Sequence, residues 1–154
     1  FHKQDRQPFL GDPCHAFDRV LHRYEAKGLS PVTAAELEFY LFQPTGETVL
    51  DPATGEPLPF ESVLCLRMLD RFDGFFSAVY AGAEAMGIGL EAATSEGGAG
   101  QFELTLLPQP PQKTADDIVL LKELIKGTAR AQGLLACFMA KPDPEEPGGG
   151  LRVR

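Results

Sequence analysis

The sequence predicts an α+β fold, a mixed, mainly antiparallel sheet with helices packed on one face. Three observations carry that prediction. AELEFYLF and QFELTLL alternate apolar and polar residues with a period of two, the mark of half-buried strands. Longer segments repeat apolar residues at helical spacing, and the elements follow as helix, strand, helix, strand, strand, helix, strand. At 154 residues, 44% hydrophobic and 23% charged, residues 1–154 read as a single domain. A chain of this length buries about 68–70% of its unfolded surface without disulfide or metal staples.

Gly11-Asp12-Pro13 opens a helix from Asp12 to Lys27 that aligns Phe17, Val20, Leu21 and Tyr24 on one stripe before Gly28. After Ser30-Pro31, VTAAELEFYLF sets Leu37, Phe39 and Leu41 against Glu36, Glu38 and Tyr40, a strand with two carboxylates on one face. The Pro and Gly residues of 43–59 predict a surface excursion that carries no core. One helix is expected from Leu69 to Met86, with Phe72, Phe75, Phe76 and Val79 on its apolar stripe and Gly87 ending it. A short strand at Leu90 to Thr94 and the link SEGGAG lead into the strand that starts at Gln101, where Glu103 points away from the apolar side. The Pro-rich PQPPQK interrupts the chain, and Thr114 to Asp117 offers an N-cap for a helix ending near Arg130. LLACFMA reads as a buried strand, and KPDPEEPGGGLRVR as turns followed by a fragment of alternating strand.

Charge and composition exclude several functions. With 22 Asp+Glu against 14 Lys+Arg and a net charge of −8, there is no basic field to attract a phosphate backbone, so nucleic acid is not the expected partner. No apolar run approaches the roughly 18 residues that span a bilayer. The opening FHKQDRQPF has no signal-peptide core, and Phe1 is not an initiator methionine, which leaves open whether the chain is a piece of something longer. Cys14, Cys65 and Cys137 are odd in number and widely spaced, which argues against a disulfide framework and suits a cytoplasmic location.

Four acids stand out: Glu36 and Glu38 on one strand, Glu96 in the glycine link, and Glu103 on the strand that follows. Carboxylates two apart on a strand share a face, and off the solvent they need a cation to offset their repulsion. Oxygen-only ligands select hard ions, Mg²⁺ or Mn²⁺. A solvated sheet face is the alternative reading, since antiparallel sheets commonly keep one face wet.

These blocks occur in the order and at the spacing of a known family. AELEFYLF, SEGGAGQFEL, the ADD helix start with KELIKGTARAQGL, and FMAKP with its glycine turn resemble the glutamine synthetase superfamily, and GDPCHAFDRVL resembles the start of its catalytic domain. The form ELEFYLF and the long excursion look closer to the γ-glutamyl-polyamine ligase branch. The resemblance implies half of a glutamine synthetase catalytic domain: a two-metal site where ATP phosphorylates the γ-carboxylate of glutamate and ammonia or an amine displaces the phosphate. By motif position it implies Glu38, Glu96 and Glu103 as ligands of the glutamate-side metal and Glu36 as a ligand of the nucleotide-side metal. It further implies that Gly148 lines the glutamate site through its backbone and that Gln101 orients its neighbours.

The chain departs from the family where the glycine turn is followed by GLRVR: both positions of the family's His-x-His are arginine, Arg152 and Arg154. A guanidinium offers a metal no lone pair and stays protonated, so loss of the nucleotide-side metal is expected, with Arg152 pairing with Glu36 in its place. His2, His15 and His22 form no alternative ligand set. ATP is expected to act only if a second part of the site is supplied, by a homo-oligomer or a complementing chain, so no catalytic residue and no turnover are assigned to the isolated chain. A degenerate, non-catalytic paralogue that binds a metal or ligand, or another protein, is the alternative.

Overall fold

The computed structural model describes residues 5, 7, 9, 11–59 and 63–154, which fall into two units, 1–32 and 33–154. His2 and most of the opening segment lie outside the described residues. The first unit holds α1 (Pro13–Glu25). Asp12 caps it, its carboxylate accepting from the Cys14 N–H at 3.0 Å, and Pro13 supplies the fixed φ suited to a first helical position. The predicted stripe is present, yet no residue of α1 is buried.

The second unit is built on β1 (Ala35–Phe42), β2 (Leu90–Ser95), β3 (Gln101–Leu106), β4 (Leu135–Cys137) and β5 (Leu151–Val153). Their order is β2-β3-β1-β4, and every pairing is antiparallel, so the expected parallel component is absent among these strands. β3 takes one edge of β1, while β4 and β5 share the other, β4 at residues 40–42 and β5 at residues 35–37. The chain between β4 and β5 closes the gap: Glu38 N–H donates to Gly150 O and Gly149 N–H to Ala140 O, each at 2.9 Å.

The core lies on one face of this sheet. Leu37, Phe39 and Leu41 of β1 join Phe102, Leu104 and Leu106 of β3 there. Over them pack α3 (Asp73–Ala85) and α4 (Pro111–Ala131), through Phe75, Phe76 and Val79 and through Leu121, Ile125 and Ala129. Ring centroids 6.1 Å apart for Phe39 and Phe75 and 5.2 Å for Phe76 and Phe102 give tilted and edge-on aromatic contacts.

Four elements differ from expectation, each for a local reason. The single helix predicted over Leu69 to Met86 is two, α2 (Leu66–Arg71) and α3, broken at Phe72 (φ −107°, ψ 24°). The break lets Phe72 bury its ring against Phe102 at 5.2 Å, so aromatic burial outweighs helical continuity. The excursion over 43–59 does carry core: Val49 is fully buried and Asp51 is buried in an ion pair with Arg71. α4 starts at Pro111 rather than at a Thr114 cap. Thr114 and Asp117 instead sit inside the helix, Thr114 Oγ1 2.9 Å from Thr33 Oγ1 and Asp117 2.7 Å from Lys113 Nζ. Only three residues of LLACFMA pair as a strand, and Met139 is exposed.

Candidate functional site

Alternation in β1 sends Glu36, Glu38 and Tyr40 to the face opposite the core. Antiparallel register then sets Glu38 across from Glu103, Tyr40 across from Gln101, and Glu36 across from Thr105 on one side and Arg152 on the other. β2 adds Thr94 opposite Glu103, and Glu96, just past β2, donates its N–H to Gln101 O at 2.9 Å. The four predicted acids are therefore brought to one face by two strands, β1 and β3, and by the link between β2 and β3.

Glu36 and Glu38 stand two apart on one face of β1 and Glu38 faces Glu103 across the ladder, so like charges repel. Glu36 and Glu38 are only 8% exposed, so water does not offset that repulsion. Arginine does. Arg152 spans the pair, 2.9 Å from Glu38 Oε1 and 3.4 Å from Glu36 Oε2, and Arg154 lies 2.6 Å from Glu36 Oε1. The expected Arg152–Glu36 contact is present, but the shorter contact of Arg152 is to Glu38, and Arg154 is the nearer partner of Glu36.

The other half of the face has no such cation. Neither Glu96 nor Glu103 forms an ion pair among the described residues. Burial pushes both carboxyls above their ordinary value, and like charge adds to it, chiefly from Glu38 at Glu96 and from Glu36 and Glu96 at Glu103. Each retains one weak hydroxyl neighbour, Thr94 at 3.5 Å and Thr105 at 3.3 Å. Among the described residues no three Asp, Glu, His or Cys side chains stand as a ready-made metal cage. The contacts divide the face: Glu36 has both oxygens on arginine, Glu38 has Oε1 on Arg152 and Oε2 3.4 Å from Gln101, and Glu96 and Glu103 have no ion pair among the described residues.

Beside the acids, Gln101 ties the glycine turn to the sheet. Its Nε2 donates to Gly148 O at 3.0 Å and to Glu38 Oε2 at 3.4 Å, and its Oε1 accepts the Gly98 N–H at 2.9 Å. The orienting role read for Gln101 agrees with this geometry. Sequence reasoning missed Tyr40, whose hydroxyl lies 2.6 Å from Pro147 O and 3.2 Å from Gln101 Oε1. The available signal was its place in the alternation, two residues beyond Glu38 on the same face. Burial, with help from Glu146, Asp143 and Glu38, pushes the phenol up to about 12. Gly98 is required here because a Cβ would stand 2.2 Å from the Tyr40 hydroxyl. Gly148 lies in the turn, its own Cβ position 3.0 Å from Ala140 O. His15 and His22 instead face Asp12 and Glu25 on α1.

Residues 10–154 match the family model described as glutamine synthetase, catalytic domain. The chain belongs to the glutamine synthetase catalytic-domain family. Among curated relatives, it is 31% identical over 157 aligned positions to gamma-glutamylputrescine synthetase PuuA of Escherichia coli K12, covering 97% of this chain and 33% of that protein. It is 30% identical over 151 positions to glutamine synthetase of Pyrococcus horikoshii, with 97% and 33% coverage. Among solved structures, a GmaS complex with ADP superposes with a TM-score of 0.84 at 28% identity, over 97% of this chain and 34% of that one. This glutamine synthetase-family chain thus spans about a third of the length of the relatives it matches. No helix among the described residues is long and apolar enough to cross a membrane.

Proposed function

We propose that this chain supplies the acid face of an ATP-dependent carboxylate–amine ligase of the glutamine synthetase type, with one divalent cation, Mg²⁺ or Mn²⁺, held by Glu38, Glu96 and Glu103. The observation that carries the reading is the convergence of those three carboxylates on one sheet face beside the Gln101-anchored Gly148 turn. A cation there supplies charge neutralisation to a phosphoryl group in transfer. The chain's own residues supply position: Gln101 holds Gly148 so that its backbone lines the glutamate pocket, and Tyr40 fixes the turn through Pro147 O. Glutamate and ammonia or an amine are the substrates of this reading; identities of 31% and 30% to a gamma-glutamylputrescine synthetase and a glutamine synthetase leave the amine open.

Phosphoryl transfer depends on positioning and electrostatics around the whole group. The 154-residue chain by itself is therefore proposed to show no turnover, and ATP chemistry to need a complementing chain or a second copy. A non-catalytic paralogue that binds a metal or a partner is the second reading, favoured by the arginine pair and by the exposed Leu151 and Val153 of β5. Three widely spaced cysteines, an odd number, suit a cytoplasmic setting for either.

Calorimetric titration of Mn²⁺ into metal-free protein tests the metal site that the ligase reading needs. Saturable binding that vanishes in Glu38→Gln/Glu103→Gln supports it; the absence of binding, or binding that survives both substitutions, removes it.

A further inference from the structure

Arg152 lies in β5 and Arg154 is one residue past its end, still paired with Ala34 through two backbone hydrogen bonds, so both guanidiniums reach the same face of the sheet. They divide Glu36 between them: Arg154 meets Oε1 at 2.6 Å and Arg152 meets Oε2 at 3.4 Å. The Glu36 side chain is 10% exposed and both of its oxygens are in contact with fixed positive charge. Arg152 then extends the same guanidinium to Glu38 at 2.9 Å. Neither arginine can give way by deprotonation, and neither carries a lone pair for a metal. With all four carboxylates ionised, two guanidiniums would leave two negative charges, and among the described residues the carboxylates without an ion pair are Glu96 and Glu103. That remainder equals the charge of one divalent cation.

We propose that the arginine pair is a built-in substitute for a metal ion: it holds the Glu36 side of the face permanently and limits the face to one divalent cation, on the Glu96 and Glu103 side. The limit to one cation rests on the metal reading above, whereas the arginine substitution at Glu36 does not. A metal at Glu36 would have to displace two guanidiniums, Arg154 at 2.6 Å and Arg152 at 3.4 Å, from the two oxygens of one buried carboxylate. Imidazole, unlike guanidinium, is neutral with a free lone pair near pH 7. Arg152→His together with Arg154→His therefore turns the same two positions into ligands facing Glu36.

The test counts Mn²⁺ bound per chain from the electron paramagnetic resonance of free Mn²⁺. The samples are the full chain, Glu36→Gln, Arg152→His/Arg154→His and Arg152→Lys/Arg154→Lys. The expected result is an unchanged count in Glu36→Gln, one added Mn²⁺ in the double histidine variant, and none added in the double lysine variant, which keeps the charge without the lone pair. Loss of a bound Mn²⁺ on Glu36→Gln overturns the proposal, as does a double histidine variant that is folded by circular dichroism and gains nothing. If that variant is unfolded, the Glu36→Gln count alone decides. A parent chain that binds no Mn²⁺, with one gained in the double histidine variant, overturns the metal reading and upholds the arginine substitution.

Discussion

The two faces of β1 are held by different physics. On one, Leu37, Phe39 and Leu41 are sealed under α3 and α4, and their stability scales with apolar area removed from water. On the other, Glu36 and Glu38 are also buried, but what makes them tolerable is Arg152 of β5 and Arg154 just past it, Arg152 standing 116 and 114 residues away in sequence from the two carboxylates it touches. The first face is determined by its own period; the second depends on partners that arrive from elsewhere in the chain.

The apolar face should give the largest response to truncation. Phe39→Ala removes a fully buried ring that meets Phe75, Phe102 and Phe138. It is expected to cost about 3–5 kcal/mol, read as a fall in the urea midpoint. Next comes the crowded end of the acid face. Gly98→Ala drives a methyl group into the Tyr40 hydroxyl, and overpacking of this kind costs about 1–3 kcal/mol by the same measurement. An unchanged midpoint would show that Tyr40 is not held against the glycine link.

Tyr40→Phe probes the polar contacts of that site, at about 0.5–1.5 kcal/mol near neutral pH. Its pH signature is more diagnostic. Because the folded phenol titrates at about 12 instead of 10, the native state holds the proton more tightly. That contribution is present below pH 10 and is lost as pH rises through 12. Unfolding free energies measured between pH 9 and 12 should fall less steeply in Tyr40→Phe than in the parent. Parallel curves would mean that the hydroxyl is solvated.

Glu103→Gln has the smallest expected effect and the opposite sign. A carboxyl raised by burial and like charge stabilises the fold at acid pH and loses that contribution as pH rises through its folded value. At pH 7 the amide should therefore be slightly the more stable, within about 0.5 kcal/mol, with the gain vanishing below the ordinary carboxylate range. Metal-free protein and thermal unfolding at pH 7 and 4 are sufficient to see it.

The same contrast explains what was legible in the sequence. The alternation of AELEFYLF and QFELTLL located both strands, their buried face and three of the four acids, because period two assigns faces without knowledge of neighbours. The break at Phe72 was hidden because the apolar stripe continues across it at helical spacing. Val49 was hidden among turn residues, since nothing local marks a valine that fills space beside Gly100. Glu36 meeting Arg152 was foreseeable from the arginine-for-histidine exchange, but the reach of Arg152 to Glu38 and of Tyr40 to Pro147 depends on how the chain between β4 and β5 closes.

Carboxylate ¹³C resonances followed during Mg²⁺ titration report the division of the acid face residue by residue. Saturable shifts are expected at Glu38, Glu96 and Glu103, with Glu36 unmoved. A saturable shift at Glu36, or no shift at any of the four, contradicts that division.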